Sequence, residues 1–182
     1  MGETINLVND FKVDNVIFNH NDYNELELNL IELLKIKKNN YFKDLKQLNI
    51  YNNQLHFLNK NIYTDENDNS SVIYFEINGI KSLLMGDAGI KVENNILNNY
   101  NLSNIDILKV GHHGSKTSSS ENFINKINPK YSVISVGKNN WYGHPDIEVL
   151  DNLNNSIIYR TDICGSVRFK LENEIKINKC LQ

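Results

Sequence analysis

Three of the five histidines stand in two glycine-bracketed loops, Gly111-His112-His113-Gly114 and Tyr142-Gly143-His144-Pro145. A third loop, Met85-Gly86-Asp87-Ala88-Gly89, offers a carboxylate at the end of an apolar run. Asp87 alone reads as the cap of a following helix. Adjacent histidines between glycines are harder to explain by packing, because glycine lets a metal or substrate approach closely and imidazole is the commonest metal-ligating side chain near neutral pH. A carboxylate (Asp87) with two or three imidazoles (His112, His113, His144) suits zinc or manganese, and hydrolysis is the natural reaction of such a centre. The segment after the histidine pair, Ser115-Lys116-Thr117-Ser118-Ser119-Ser120-Glu121, is rich in hydroxyls. Ser118-x-x-Glu121 matches a capping box, and free amides at that helix start, with Ser115, Thr117 and Ser118, favour a phosphate oxygen. Lys116 adds a positive charge. His144 is a candidate ligand, proton donor or cap, and Trp141 and Tyr142 either stack on a base or sugar or close the rim of the pocket.

Each of these loops follows a predicted strand. Apolar periodicity predicts strands at 15–18, 45–50, 54–58, 72–77, 80–85, 105–110, 131–136 and 157–160, and a closing pair at 166–171 and 174–177. Helices are predicted at 92–100, 121–127 and 146–154, with an earlier one presenting Leu26, Leu30, Leu33 and Leu34 on one face. Asn78-Gly79 is a strong hairpin signal, and Pro145 is placed to open its helix at the first position. A hairpin-rich sheet followed by β-α-β units indicates one mixed α/β domain over residues 1–182, helices outside. In such a layered fold the strand ends carrying Asp87, His112, His113 and His144 gather along one edge. The other candidates are weaker: His56 alternates with apolar residues as a surface-facing strand residue, His20 has no companion, and Asp162 reads as a turn former or a partner for a histidine.

Composition narrows the classes. The 182 residues carry a net charge of −3, so no general basic field attracts nucleic acid and any anion must be met by a local site. Apolar runs such as Ser82-Leu83-Leu84-Met85 fall far short of the roughly 20 residues that span a bilayer, and the start lacks the pattern of a signal peptide. Two cysteines, Cys164 and Cys180, exclude a disulfide scaffold or a cysteine zinc knuckle. The 33 asparagines fall largely between apolar blocks, where they suit turns and caps, and read as loop filler of an AT-rich coding bias.

At Leu84-Met85-Gly86-Asp87, at 108–120, at Ile134-Ser135-Val136-Gly137, at Tyr142-Gly143-His144-Pro145 and at Arg160-Thr161-Asp162 with Gly165, the sequence resembles the metallo-β-lactamase superfamily. Within it, the resemblance is to the C-terminal hydrolase domain of ComEC-type DNA-uptake competence proteins, in motif order and from end to end. The resemblance implies an αββα sandwich with two zinc or manganese ions at one edge, hydrolysing a phosphodiester of single-stranded DNA. Asp87 would then bridge the metals, His112 or His113 would ligate one of them, and His144 would stand by the reacting phosphate as ligand or proton donor. The superfamily's main signature, His-x-His-x-Asp-His, does not occur here. The expectation is therefore a partial sandwich: an N-terminally truncated piece holding at most one weakly bound metal, impaired alone, with a complementing N-terminal fragment as a possible partner. Such a chain would be soluble, while its bacterial parent family has a membrane channel domain. A non-catalytic phosphate- or nucleic-acid-binding remnant, or a small-ester hydrolase on the same fold, are the alternatives.

Overall fold

The computed structural model describes residues 2–19 and 23–181; His20 lies outside them. Contacts divide the chain into two compact units, Met1–Lys46 and Gln47–Gln182.

The first unit is built from α1 (Gly2–Asp10), β1 (Asn15–Phe18), α2 (Glu25–Lys37) and β2 (Asn40–Lys43), with β1 and β2 paired in parallel. Asn24 starts α2: its Oδ1 accepts the Glu27 N–H at 3.0 Å, and the Glu27 carboxylate accepts the Asn24 N–H at 3.0 Å, a reciprocal capping box. Leu30, Ile31 and Leu34 of α2 bury with Val8 and Phe18. Of the predicted helix face, Leu26 stays exposed in the first turn, and Ile31 takes its share of the core. Strand β2 was not predicted, because Asn39-Asn40 reads as a loop and only four residues pair.

The second unit centres on a seven-stranded sheet whose strands lie in chain order: β3 (Gln47–Ile50), β4 (Asn53–Phe57), β5 (Ile73–Ile77), β6 (Ile80–Leu84), β7 (Ile107–Lys109), β8 (Tyr131–Ile134) and β9 (Ile157–Arg160). The first four strands are antiparallel and the last four parallel. Asn78 and Gly79, with φ of +52° and +77°, make the tight turn between β5 and β6 that the Asn-Gly pair predicts. Helices α3 (Ile90–Asn99), α4 (Glu121–Ile127) and α5 (Ile147–Asn152) connect the parallel strands. A right-handed crossover repeated in one direction puts successive helices on one face. Accordingly Val92, Ile96, Phe123, Ile127, Val149 and Leu153 share one core with Leu83, Leu108 and Ile134.

Tyr131 and Tyr159 project from the opposite face, where Phe169 of the closing hairpin meets both rings, with centroids 6.1 and 5.9 Å away. That hairpin is β10 (Ser166–Leu171) with β11 (Ile175–Leu181), preceded by the four-residue α6 (Thr161–Cys164). The mixed α/β class with a central mixed sheet is as expected. The second large sheet of a sandwich is not found among the described residues: this unit has a helical layer, one sheet and a two-stranded hairpin.

Two helix starts differ from the prediction. Ser120, not Ser118, caps α4, accepting the Phe123 N–H at 3.4 Å, and Asp146, not Pro145, begins α5, accepting the Glu148 N–H at 3.0 Å. In both places the acceptor that reaches the first-turn amides decides the start, and several neighbouring residues have the right type.

Candidate functional site

Strand β6 ends at Leu84 and the chain turns at Gly86, φ +62°, where a Cβ would meet the Ser70 Cβ at 2.7 Å. Glycine is thus required, and Asp87 leaves the sheet edge with its N–H donating to Ser70 Oγ at 3.0 Å. The segment behind it is pinned by Asn59, whose Nδ2 donates to the Asp68 and Ser70 carbonyls at 2.7 and 2.9 Å. Asp68 in turn accepts the Gly89 N–H at 2.9 Å.

The histidine pair follows β7. His112 and His113 both have left-handed backbone, φ +43° and +55°. Consecutive non-glycine residues there carry strain of order 1–3 kcal/mol each, the kind of outlier that clusters at functional sites. Gly111 is forced, since a Cβ would lie 2.7 Å from the Ala88 carbonyl oxygen. One acceptor ties the turn to the Asp87 loop: the Gly86 carbonyl takes the His112 N–H at 3.1 Å and the Lys109 Nζ at 2.7 Å.

His113 is the histidine that faces Asp87. Its Nδ1 lies 2.6 Å from the Ser135 carbonyl, which can only accept, so the proton sits on Nδ1 in the neutral ring. Its Nε2 is then directed at Asp87 Oδ1, 3.5 Å away. His112 Nδ1 lies 3.2 Å from Thr117 Oγ1. The His112 ring centroid is 6.3 Å from His113 and 6.0 Å from His144.

His144 is placed by Asn140, whose Oδ1 accepts the His144 N–H and whose Nδ2 donates to the His144 carbonyl, both at 2.8 Å. Tyr142 stacks on its ring at 5.8 Å with 12° between the planes. Burial first, then the neighbouring His112 and His113, lower the His144 pKa from the ordinary imidazole value, while Asp146 opposes them. The four side chains singled out from three separate loops therefore converge on one edge.

Lys109 was not singled out by sequence reasoning. It ends β7 with Nζ 3.9 Å from Asp87 Oδ1, and burial lowers its pKa, partly offset by Asp87. Its signal was a lysine closing an otherwise buried apolar strand. The structure also sorts the hydroxyls. Ser118 is buried, with Oγ donating to the Gly111 and Ser115 carbonyls at 2.9 and 3.0 Å, so it is committed to holding the turn. Ser115 is buried against Thr117 Oγ1 at 3.1 Å. Thr117 and Lys116 face a pocket of about 480 Å³ that Asp87, His112, Lys91 and Asp65 also line.

Asp162 pairs with none of the three site histidines. It takes a two-pronged contact from Arg160, at 2.6 and 3.1 Å, which lowers its pKa. Beside it Thr161 Oγ1 accepts the Val136 N–H and donates to the Val136 carbonyl, both at 2.8 Å, fixing the strand end that leads to His144. Thr161→Val should lower stability by about 1–2 kcal/mol in urea denaturation, and Thr161→Ser should restore it.

The donor set does not fit a resident metal. A zinc site takes three or four protein ligands at about 2.0–2.3 Å. Among the described residues no group of three or more histidine, cysteine, aspartate or glutamate side chains is gathered closely enough to hold an ion. Asp87 with His113 supplies two donors, and Lys109 already sets a positive charge beside the carboxylate. His56, on β4, lies against Tyr74 at 6.2 Å between ring centroids, with no counterpart in the site.

No family model matches the sequence. The chain is 39% identical over 112 residues to ComE operon protein 3 of Bacillus subtilis, covering 60% of this chain and 14% of that one. It is 38% identical over 116 residues to competence protein ComA of Neisseria gonorrhoeae, 62% of this chain and 16% of that one. It is also 37% identical over 105 residues to recombination protein 2 of Haemophilus influenzae, 57% of this chain and 13% of that one. Similarity to ComEC-type competence proteins is thus shown for about three-fifths of the chain, which spans about a seventh of the length of these relatives. Among solved structures, a putative zinc-dependent hydrolase of the metallo-β-lactamase superfamily from Thermotoga maritima aligns with a TM-score of 0.40 at 18% identity, over 78% of this chain and 68% of that one. No helix among the described residues is long and apolar enough to cross a membrane.

Proposed function

We propose that this chain carries one portion of the hydrolytic centre of a ComEC-like DNA-uptake protein, acting on the phosphodiester backbone of single-stranded DNA. The observation that supports the reading most is the convergence of Asp87, His112, His113 and His144 beside the pocket lined by Lys116 and Thr117. In it, Lys116 and the Thr117 hydroxyl bind phosphate oxygens, the His112 ring being set by Thr117. His144, held by Asn140, is placed to give or take a proton at the leaving oxygen. Asp87 and His113 are two donors of a larger set whose remaining members come from residues outside this chain. On this reading the isolated polypeptide binds and orients a phosphodiester but does not cleave it.

The two-donor set and the lysine beside Asp87 equally favour a second reading, a phosphate-binding remnant with no catalytic role. A cleavage assay on labelled single-stranded DNA with manganese or zinc separates the two. The chain alone should give no cleavage above buffer. Fused to a segment bearing His-x-His-x-Asp-His, it should cleave, and Asp87→Ala should abolish the reaction. A fusion that binds metal and never cleaves supports the remnant, and strong Asp87-dependent cleavage by the unfused chain contradicts both.

A further inference from the structure

The loop between β8 and α5 exposes two large aromatic side chains at consecutive positions, Trp141 at 99% and Tyr142 at 84% of their full accessible surface. Exposed aromatics in a wandering loop would mean little, but this loop is fastened at both ends. Thr161 holds Val136 through its N–H and its carbonyl, the Asp146 N–H donates to the Gly114 carbonyl at 2.9 Å, and Asn140 braces the loop internally against His144. The aromatic surface is also continuous with the site, because Tyr142 lies flat on His144, whose ring neighbours His112. His112 in turn lines the pocket with Lys91, Lys116 and Thr117, together with Asp65, Asp68 and Asp87. From residue 137 to 145 the one lysine, arginine, aspartate or glutamate is Lys138. The arrangement is thus an aromatic lip, an imidazole row and a lysine-bearing pocket in sequence.

We propose that Trp141 and Tyr142 form a stacking platform for unpaired nucleobases, with the connecting phosphates passing the histidines toward Lys116. This deepens the phosphodiester reading above and rests on it. Aromatic side chains grip single strands because every base has a stackable face, at about 1–3 kcal/mol per base. A duplex keeps its bases stacked on one another and offers none, so the platform selects single strands. The chemistry needs no metal, so it operates in this chain as it stands.

Trp141 is the single tryptophan, so intrinsic fluorescence reports on it alone. The test uses the full chain in chelator-containing buffer, titrated with an end-labelled oligothymidylate 12-mer, an abasic 12-mer of equal charge and a duplex of equal length. Label anisotropy reads binding, and tryptophan emission reads stacking. The expected result is saturable quenching by oligothymidylate with the same midpoint as the anisotropy change, and weak binding without quenching by the abasic strand and the duplex. Trp141→Ala should weaken oligothymidylate binding on the order of tenfold, while Trp141→Phe, which keeps a stacking ring, stays close to wild type. Anisotropy that rises equally for the thymidylate and abasic strands, unchanged in Trp141→Ala and with no quenching, overturns the platform and leaves the phosphodiester reading standing. No anisotropy change with any strand overturns both.

Discussion

Replacing Glu93 with alanine is expected to lower the stability of the chain by about 3 kcal/mol, since two backbone donors and a hydroxyl lose a buried, charged acceptor at once. Glu93 sits on α3 with almost no exposed surface. Its carboxylate takes the N–H groups of Ser119 and Ser120 and the Ser120 hydroxyl, the last two at 3.0 and 2.8 Å. It therefore secures the start of α4, and with it the turn that presents Lys116 and Thr117. Burial, the largest cause, raises the Glu93 pKa above its ordinary value near 4.5, against the hydrogen bonds from Ser120 and Ser119 that lower it. A carboxyl with a raised folded pKa binds protons more tightly folded than unfolded, so its ionisation costs stability as pH rises through that window. Glu93→Gln, which cannot ionise, should lose stability relative to wild type as pH falls toward 4.5. Urea denaturation of wild type, Glu93→Ala and Glu93→Gln across pH checks both statements.

Gly114→Ala should be comparably damaging. Gly114 has φ +80°, and a Cβ there would stand 2.7 Å from the Pro145 Cβ and 3.2 Å from its Cα. The strain of the left-handed backbone, about 1–2 kcal/mol, adds to an overlap with a rigid ring worth roughly 1–3 kcal/mol. The same change displaces Pro145 and hence His144, so it should disturb the site as well as the fold. Gly79→Ala is the control: it has a similar φ, +77°, and nothing within 4 Å of the added atom. It should show the backbone strain alone. Equal losses for the two variants would show that the contact between the histidine turn and Pro145 has no weight.

Much of this was legible in the residues. Alternating apolar positions and the Asn78-Gly79 turn are local signals, and the strands they imply form within a few residues of the predicted ends. Asp87 and the three histidines stand out in sequence by the glycines around them, and the structure shows that those at 86, 111 and 114 are required by the close approach of Ser70, Ala88 and Pro145. What stayed hidden depends on partners distant in sequence. Glu93 looks like any exposed helical glutamate until the Ser119 and Ser120 amides are placed against it, 26 and 27 residues later. Lys109 acquires its place only when Gly86 and Asp87 arrive beside it. The choice between His112 and His113 hinges on the Ser135 carbonyl, which orients one ring and not the other. Four serine and threonine hydroxyls in a row look interchangeable in sequence, yet Ser118 is spent on carbonyls, Ser120 on a cap, and Thr117 meets His112 and Ser115 at the pocket wall.

Asp87 and His113 are an incomplete donor set for a metal ion. The most direct test of this is the metal content of the purified chain after exposure to zinc or manganese and exhaustive dialysis, measured by elemental mass spectrometry. The expected result is far less than one ion per chain, unchanged by Asp87→Ala or His113→Ala. One or two firmly retained ions per chain, lost in both variants, would contradict it.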